Sequence, residues 1–224
     1  GKQMTKRLRI VAIDGPAGAG KSTIAQALAL ALEIPYLDTG AMYRMVTYAA
    51  LRDGTDLQDE NAVANLAGRM KSTMTANRFV VDEVDVTEII RGPQVTEAVS
   101  IVAALSAVRN ELRSAQRAWV ENAGGGVVEG RDIGTVVFPD ATLKVFLTAS
   151  PAVRAQRRVS QSGGDVLAIE EQIRKRDHLD STRADSPLRE SEDSLFIDTT
   201  DLSIESVVKH IADSVAKIEG STHE

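Results

Sequence analysis

Cysteine is missing from all 224 residues of the sequence. Disulfide bonds and thiolate metal sites are therefore excluded, and the absence of cysteine suits a reducing compartment. Only three histidines occur, His178, His210 and His223, and their spacing matches no zinc-binding pattern. A metal centre built from cysteine or histidine is therefore not expected.

A long hydrophobic run is missing from the first part of the sequence. Residues 1–9 are polar and basic. The apolar run that follows, residues 10–13, is long enough for a strand but too short for a membrane-spanning helix or the apolar part of a signal peptide. This pattern predicts neither a signal peptide nor a membrane anchor. We therefore expect a soluble protein that is not exported and that works in the cytoplasm.

An excess of positive charge is missing as well. The 26 lysines and arginines are outnumbered by 32 acidic residues, which gives a formal net charge of −6. Nonspecific binding to nucleic acid or to an anionic membrane needs an excess of basic residues. We therefore expect neither as a partner. With 43% hydrophobic residues, the chain has the composition and the length of one globular domain with a small insertion.

Short apolar runs alternate with helical patterns along the chain. This alternation is typical of an α/β fold in which helices cover both faces of a parallel sheet. Helices are expected to begin at Ser150, which precedes a proline, and at Asp165 and Ser203, since these side chains are good N-caps. Five strands are predicted, at residues 8–13, 36–37, 126–129, 143–147 and 195–197.

The alternation is interrupted between residues 71 and 86 by short runs rich in threonine and valine. Such runs, separated by polar turns, predict a small antiparallel insert with strands at 73–75, 79–81 and 84–86. Helices at 61–70 and 93–104 would join it to the rest of the chain. We therefore assign residues 7–62 and 101–221 to the α/β core and residues 63–100 to the insert.

Residues 15–22, GPAGAGKS, match the pattern GxxxxGKS between a predicted strand and a predicted helix. In such a P-loop, backbone N–H groups turn around phosphate oxygens, the lysine reaches the β- and γ-phosphates, and the serine hydroxyl can bind Mg²⁺. A glycine-rich turn with a solvated lysine fits these flanks less well. The expected ATP-binding residues are Gly15, Pro16, Ala17, Gly18, Ala19, Gly20, Lys21, Ser22 and Thr23, with Ser22 as the metal ligand.

The P-loop alone does not distinguish a phosphotransferase from a GTPase switch or a nucleotide sensor. The sequence contains neither an Asn-Lys-x-Asp segment nor an Asp-x-x-Gly segment, both of which a GTPase would normally carry. A GTPase is therefore not expected. A catalytic protein and a nucleotide-sensing module without catalysis remain as alternatives at this point.

Two further segments follow predicted strands, at the sheet edge where ligands of open α/β folds bind. Residues 38–44, DTGAMYR, follow the second strand, and residues 130–140, GRDIGTVVFPD, follow the third. Taken alone, the first segment is more typical of a turn and a helix cap. The two segments together favour a ligand site. Arg44 can bind a monophosphate in a bidentate way through two N–H groups of its guanidinium group, and Arg131 lies at the same edge of the sheet.

Arginines also cluster late in the chain. Arg154, Arg157 and Arg158 have the spacing of one helical face and are followed by a polar, glycine-containing segment, residues 160–165. This predicts a short lid at residues 152–168, although a solvent-facing helix end explains each arginine equally well when taken singly. A second helical face is predicted for Arg176, Asp180 and Arg183.

Four segments together resemble the bacterial cytidylate kinase family: IDGPAGAGKST, LDTGAMYR, EGRDIGTVVFPDA and RKRDHLDSTRADSPL. The likeness extends from about residue 8 to the last helix. It implies a P-loop kinase that transfers the γ-phosphoryl group of ATP to CMP or dCMP with Mg²⁺, giving ADP and CDP or dCDP. By this resemblance, the acceptor's phosphate and ribose are held by Thr39, Tyr43, Arg44, Arg131, Arg176, Asp180 and Arg183, and cytosine is read by Ser100, Arg109 and Asp132.

The chemistry of these residue types agrees with the roles that the resemblance implies. Cytosine presents an amine donor and two acceptors, which Asp132 and Arg109 complement, whereas uracil would present an acceptor to the carboxylate. Arginines on a closing lid can neutralise the charge of the transferring phosphoryl group. The expected catalytic residues are Lys21, Arg131, Arg154 and Arg158, and Arg157 is expected to bind ATP.

Other small P-loop kinases remain alternatives. Shikimate kinases carry an Asp-x-Asp after the second strand, which Asp38-Thr39-Gly40 lacks, and adenylate kinases usually have a longer lid and a shorter insert. The sequence also departs from the resemblance at Asp82-Glu83, where a glycine is often found, so a shorter or less regular insert is one expectation. A monomer is expected because no long apolar surface stripe is left over.

Overall fold

The computed structural model describes residues 8–75 and 77–221. The predicted polar stretch therefore lies mostly outside the described residues, as do the predicted core boundary at residue 7 and His223. The strands are β1 (Arg9–Asp14), β2 (Tyr36–Asp38), β3 (Ser72–Met74), β4 (Phe79–Val81), β5 (Val84–Asp85), β6 (Gly125–Gly130), β7 (Leu143–Thr148) and β8 (Leu195–Asp198). The helices are α1 (Lys21–Leu32), α2 (Thr39–Arg52), α3 (Glu60–Arg69), α4 (Pro93–Ala103), α5 (Ser106–Ala123), α6 (Pro151–Ser162), α7 (Val166–Thr182) and α8 (Ile204–Ser221), with a 3₁₀ turn at Ile89–Arg91 and a π-helical turn at Ile133–Val137.

The main sheet has five parallel strands in the order β2-β6-β1-β7-β8. The predicted five-stranded parallel sheet is therefore confirmed, with each strand end shifted by at most one residue. Strand β1 lies at the centre of the sheet and is almost entirely buried. The loop that follows β1 therefore begins in the middle of the edge formed by the carboxyl ends of the strands, where α/β folds bind ligands.

Apolar side chains cover both faces of the sheet. On one face, α1 and α8 pack against the strands through residues such as Ile24, Leu28 and Ile211. On the other face, α5 and the π-helical turn contribute Val120 and Ile133 to a second cluster. Burial of strands on both faces explains their nearly continuous apolar sequence.

The ends of three helices agree with the caps predicted from sequence. The side-chain oxygens of Ser150, Asp165 and Ser203 each accept a hydrogen bond from an amide two or three residues further on. Such bonds satisfy amides that have no partner within their own helix. Helices α6, α7 and α8 therefore begin where local sequence chemistry predicts.

The insert contains a three-stranded antiparallel sheet in the order β3-β4-β5. Asp82 and Glu83 connect β4 to β5 with φ angles of 47° and 69°, values that glycine adopts most easily. The carboxylate of Asp82 accepts a hydrogen bond from the backbone N–H of Lys71 at 2.9 Å and pairs with Arg52 at 2.8 Å. These contacts hold the turn without glycine, and the insert has the three antiparallel strands that the sequence predicts.

The insert packs directly on the main body of the chain. Phe79 and Val81 of β4 share a hydrophobic cluster with Met45 of α2, and α3 and α4 share another with α2 and α5. The predicted boundaries at residues 63 and 100 fall inside α3 and α4. Within the described residues, no helix is long and apolar enough to cross a membrane.

Candidate active site

A cavity of about 550 Å³ opens where β1, β2 and β6 end. Its lining comes from the loop after β1, the ends of β2 and β6, the insert, and helices α2, α6 and α7. This volume falls within the range of small-molecule sites. The cavity therefore joins the predicted phosphate loop to three of the predicted acceptor residues, Arg44, Arg131 and Arg176.

Positive charge dominates the lining of this cavity. Among the described residues, seven cationic side chains and two carboxylates contribute to the lining. Since the sequence has a net charge of −6, the cavity concentrates charge of the opposite sign and attracts anions. The cations are Lys21, Arg44, Arg91, Arg131, Arg157, Arg158 and Arg176, and the carboxylates are Asp38 and Glu129.

The loop after β1 has the backbone geometry of a phosphate cradle. Gly15 and Gly18 have φ angles of 151° and 79°, and a Cβ atom on Gly15 would lie 2.1 Å from the carbonyl oxygen of Leu147. Glycine is therefore required at residue 15. The Nζ atom of Lys21 donates to the carbonyl of Gly15 at 2.8 Å. Burial, together with the nearby charge of Arg131, lowers the pKa of Lys21 to about 8.

Glu129, at the end of β6, lies beside this loop. Its Oε2 atom accepts a hydrogen bond from the hydroxyl of Ser22 at 3.1 Å, and its Oε1 atom accepts one from the hydroxyl of Tyr36. Burial raises the pKa of Glu129. Ser22 and Glu129 together offer oxygen atoms of the kind that Mg²⁺ prefers.

Sequence reasoning missed Glu129. The signal that could have identified it is a carboxylate at the end of the strand beside the P-loop strand, in the EGRD segment. Among the described residues, no group of three or more His, Asp or Glu side chains could hold a metal ion by itself.

Three arginines surround the buried carboxylate of Asp180, which is only 3% exposed. The Nε atoms of Arg131 and Arg176 lie 2.7 and 3.8 Å from its oxygens, and the Nη1 atom of Arg183 lies 3.6 Å away. The predicted face of Arg176, Asp180 and Arg183 is therefore confirmed. One carboxylate neutralises only part of this charge, so the cluster stays positive.

Crowding of these cations affects their pKa values. Burial, and next the charge of Arg131, lowers the pKa of Arg176 well below the usual value. Burial and then Arg109 lower the pKa of Arg183 to about 10. With a pKa of about 10, Arg183 remains charged at neutral pH. A bound anion would relieve the repulsion among the arginines, which favours phosphate binding.

Arg44 connects the cavity to the insert. Its Nη1 atom donates to the carbonyl of Ile90 and to the hydroxyl of Thr96, both at 2.9 Å. Beside it, Arg91 pairs with Asp38 at 3.2 Å. Burial and then Arg91 lower the pKa of Arg44 to about 10. Arg91 and Thr96 line the cavity but were not predicted, because nothing in the insert sequence distinguishes them from solvent-facing residues.

Two of the residues expected to read a base, Arg109 and Asp132, form a buried ion pair outside the cavity lining. The Nη2 atom of Arg109 lies 2.5 Å from Oδ2 of Asp132, and these residues are 1% and 3% exposed. The guanidinium group of Arg109 also lies over the ring of Tyr43, 5.0 Å from its centroid. The hydroxyl of Tyr43 is buried and finds no hydrogen-bond partner among the described residues. Ser100 lies half-buried on α4.

The three predicted lid arginines separate in the structure. Arg154 is 3% exposed and donates to the carbonyl of Ala17 in the P-loop and, through two nitrogens, to Asp177. Arg157 donates to Thr199 and lines the cavity together with Arg158. The predicted lid at 152–168 contains most of α6, a turn at Gly163 and Gly164, and the beginning of α7.

The predicted site residues therefore fall into two groups. Those that line the cavity are Ala17, Gly18, Gly20, Lys21, Ser22, Thr23, Arg44, Arg131, Arg157, Arg158 and Arg176. In the part of the chain that the structure describes, those outside the lining are Gly15, Pro16, Ala19, Thr39, Tyr43, Ser100, Arg109, Asp132, Arg154, Asp180 and Arg183. Thr39 contacts the end of β6, where its hydroxyl donates to the carbonyl of Glu129 at 2.6 Å.

Comparisons with known proteins agree with this geometry. A family model described as cytidylate kinase matches residues 11–217. The chain is 48% identical over 220 residues to the cytidylate kinase of Rhodococcus opacus, covering 94% of this chain and 96% of that protein. It is 46% identical over 217 residues to that of Mycobacterium leprae, covering 95% and 97%.

Among solved structures, a shikimate kinase from Bacteroides thetaiotaomicron is similar with a TM-score of 0.50. The two chains are 14% identical, and the match covers 94% of this chain and 99% of the other. At this level of identity the likeness shows a shared fold alone.

Proposed function

The chain belongs to the cytidylate kinase family, and we propose that it transfers the γ-phosphoryl group of ATP to CMP or dCMP, giving ADP and CDP or dCDP. The protein is an enzyme, a phosphotransferase that acts on nucleotides. One observation carries the proposal: a single cationic cavity of about 550 Å³ includes both the P-loop and the arginines Arg44, Arg131 and Arg176. Two phosphate-bearing ligands can meet there.

On the donor side, we assign the triphosphate of ATP to residues 15–23. The backbone amides of the loop surround the phosphates, and Lys21 contacts the β- and γ-phosphates. Arg157 and Arg158 line the same cavity from α6. We assign them to the triphosphate as well. Arg154 donates to the carbonyl of Ala17, so its part in catalysis is to hold the loop.

On the acceptor side, the phosphate of CMP is bound by Arg44, Arg131 and Arg176. Asp180 holds Arg131 and Arg176 in place through its ion pairs and is also assigned to the ribose. The remaining residues assigned to the acceptor's phosphate and ribose are Thr39, Tyr43 and Arg183. Support for these roles comes from the cationic lining and from the burial of the ion pairs.

Choice of the base is assigned to Asp132, Arg109 and Ser100. The buried carboxylate of Asp132 accepts a hydrogen bond from the amine of cytosine, and Arg109 donates to its acceptor atoms. Uracil presents an acceptor in place of that amine, which leaves the carboxylate without a donor. Arg109 still pairs with Oδ2 of Asp132, but a buried carboxylate oxygen that faces another acceptor is costly, so the enzyme discriminates against UMP.

The chemical step needs no general base. The phosphate of CMP is already ionised near neutral pH, and one of its oxygens attacks the γ-phosphorus of ATP in line. The bond between the γ-phosphorus and the β,γ-bridging oxygen breaks, and ADP leaves with that oxygen. Lys21, Arg131 and Arg158 neutralise the charge that develops on the transferring group.

Mg²⁺ is expected to arrive with ATP, and it supplies charge neutralisation at the phosphates when bound. Ser22 and Glu129 fit this ion, because both present oxygen atoms at the edge of the P-loop. Ser22 is assigned as the direct protein ligand, and Glu129 holds the Ser22 hydroxyl.

The wider setting of the enzyme is also part of the proposal. It acts as a monomer in the cytoplasm, with small-molecule nucleotides and neither a nucleic acid nor a membrane as partner. Residues 63–100 act as the acceptor-binding insert of a core formed by 7–62 and 101–221, and residues 152–168 act as a lid. Support comes from the charge balance and from the insert residues Arg91 and Thr96 in the cavity lining.

A coupled assay for ADP release, run with one acceptor at a time, tests the reaction. CMP and dCMP should give the highest kcat/KM, UMP should be at least about tenfold poorer, and AMP and shikimate should be inactive. ADP release that is independent of any acceptor would contradict a kinase. Preference for AMP or shikimate would contradict the assigned acceptor.

A matched pair of variants on α7 tests the acceptor site in the same assay. Arg176→Ala removes a cavity arginine, whereas Arg174→Ala removes one that is exposed and paired with Glu170 four residues earlier. The first should raise the KM for CMP at least about tenfold, and the second should leave it unchanged. Equal effects would contradict the assigned phosphate site.

A further inference from the structure

Asp14 is a buried charge that the proposed mechanism does not use. It is the last residue of β1, directly before the P-loop, and it is 5% exposed. Its Oδ1 atom accepts a hydrogen bond from the backbone N–H of Ile133 at 2.9 Å, and its Oδ2 atom accepts one from that of Gly134 at 2.8 Å. Both oxygens are therefore directed at the beginning of the π-helical turn.

This turn is capped in an unusual way. Asp132 occupies the position before the first turn, and its backbone carbonyl accepts from Val136 and Val137. An aspartate at this position ordinarily accepts hydrogen bonds from the first amides of its own turn. Here the carboxylate of Asp132 pairs with Arg109 instead. The hydrogen bonds from the amides of Ile133 and Gly134 are accepted by Asp14, which lies on strand β1.

Capping of the turn by Asp14 in place of Asp132 has a consequence for the choice of acceptor. Because Asp14 satisfies the amides of the turn, the carboxylate of Asp132 is released to pair with Arg109. Asp14 also lies beside Gly130 in the register of β1 and β6, two residues before Asp132. The position of the Asp132 carboxylate is thus fixed relative to the strand that carries the phosphate loop.

π-Helical turns are rare in proteins, and those that occur often lie at functional sites. Burial raises the pKa of Asp14 to about 6, while its two amide bonds act in the opposite direction. The group is therefore largely ionised at neutral pH and accepts at both oxygens. An asparagine has the same shape but presents an amide donor to one of the two N–H groups.

We propose that Asp14 is a positioning residue for acceptor choice, which holds Asp132 against Arg109 by capping the turn at Ile133–Val137 from β1. This inference rests on the proposed role of Asp132 in reading cytosine. Asp14 touches neither substrate. Its effect passes through Asp132 and should therefore appear in the discrimination between bases, which a loss of stability alone would not change.

The test is Asp14→Asn, assayed with CMP, UMP and ATP after circular dichroism has established the fold. The KM for CMP should rise at least about tenfold, and the ratio of kcat/KM for CMP to that for UMP should fall at least about tenfold. The KM for ATP should stay within about twofold. Asp59→Asn, which alters the exposed cap of α3, is the matched control and should change none of these values.

A double-mutant cycle with Asp132→Asn separates two hypotheses: that Asp132 reads cytosine, and that Asp14 positions Asp132. If Asp14 acts through Asp132, adding Asp14→Asn to Asp132→Asn should change the CMP/UMP ratio less than about twofold. If Asp132→Asn lowers the ratio but Asp14→Asn does not, only the inference about Asp14 is overturned. If Asp132→Asn itself leaves the ratio unchanged, the role of Asp132 fails and the inference fails with it.

Asp14→Glu serves as a second variant if the asparagine variant does not fold. It keeps both acceptor oxygens but moves them by one methylene group, so it should lower the CMP/UMP ratio at an unchanged KM for ATP. An equal rise in both KM values would contradict the inference. Failure of both variants to fold would also contradict it, because Asp14 would then be a folding residue.

Discussion

The two sides of the cavity are built in different ways. On the donor side, the loop after β1 and the first turn of α1 contribute neighbouring residues to the cavity lining, among them Gly18, Gly20 and Lys21. On the acceptor side, arginines from α2, the end of β6 and α7 converge from positions as distant as Arg44 and Arg176. The donor site therefore depends on local backbone geometry, whereas the acceptor site depends on tertiary packing.

The electrostatic designs differ as well. Lys21 donates to a carbonyl of its own loop, so the donor side is organised before a ligand arrives. The acceptor side crowds three guanidinium groups around the single carboxylate of Asp180. Substitutions should therefore affect the two substrates separately, and the following predictions use that separation.

The largest effect is expected for Lys21→Ala. Removal of a charge that contacts the transferring phosphoryl group should lower kcat at least about a hundredfold, with the fold and the KM for CMP nearly unchanged. Steady-state kinetics and circular dichroism check this. Lys209→Ala, an exposed lysine paired with Asp213, is the control and should behave like the wild type. Turnover close to wild type in Lys21→Ala would remove this residue from the mechanism.

Asp180→Asn should act on the opposite side of the cavity. Loss of the carboxylate leaves Arg131, Arg176 and Arg183 without their shared counter-ion, so their positions change and the fold loses stability. The KM for CMP should rise at least about tenfold while the KM for ATP stays within about twofold. Added CMP should raise the melting temperature of the variant less than it raises that of the wild type, whereas added ATP should raise both equally. A parallel rise of both KM values would contradict the separation.

The pH dependence should also distinguish the two sides. The pKa of Lys21 is about 8 in the free protein, so its charge is present below that pH and is lost above it. The kcat/KM for ATP should therefore fall about fivefold between pH 8 and 9. With ATP saturating, the bound triphosphate keeps Lys21 charged, so the kcat/KM for CMP should fall only at higher pH. Identical profiles for the two substrates would argue against this assignment.

The smallest effect is expected at the turn of the insert. Glu83 has a φ angle of 69°, so Glu83→Gly should relieve backbone strain and raise the free energy of unfolding by about 0.5–1 kcal/mol. Asp82→Gly is the matched control. It loses the contacts with Arg52 and Lys71 and should give no gain. Thermal melts of the two variants check these changes in stability. An unchanged kcat/KM for CMP would show that the turn does not take part in catalysis.

The sequence predicts those features that depend on neighbouring residues. The P-loop, the five parallel strands and the caps at Ser150, Asp165 and Ser203 are all local patterns, and each was predicted close to its observed position. The pairing of Arg176 and Arg183 with Asp180 was also predictable, since helical spacing brings them to one face.

Features created by tertiary contacts could not be predicted. Helical spacing grouped Arg154 with Arg158, but packing of α6 against α7 and the P-loop buries Arg154 against Asp177. Asp14 and Glu129 read as strand ends, and their roles depend on segments more than 100 residues away. The turn at Asp82 and Glu83 is held by contacts of Asp82 with Arg52 and Lys71. The absence of a glycine from the sequence of the turn therefore does not indicate that the turn is irregular.

The proposed mechanism requires that two ligands bind to two separately built sides of one cavity. Titration calorimetry with CMP and with a non-hydrolysable ATP analogue tests this requirement, using Lys21→Ala and Arg176→Ala. We predict that each ligand binds the wild type at one site, that Lys21→Ala weakens only the ATP analogue, and that Arg176→Ala weakens only CMP. Absence of CMP binding to the wild type, or equal weakening of both ligands by either variant, would contradict the proposed mechanism.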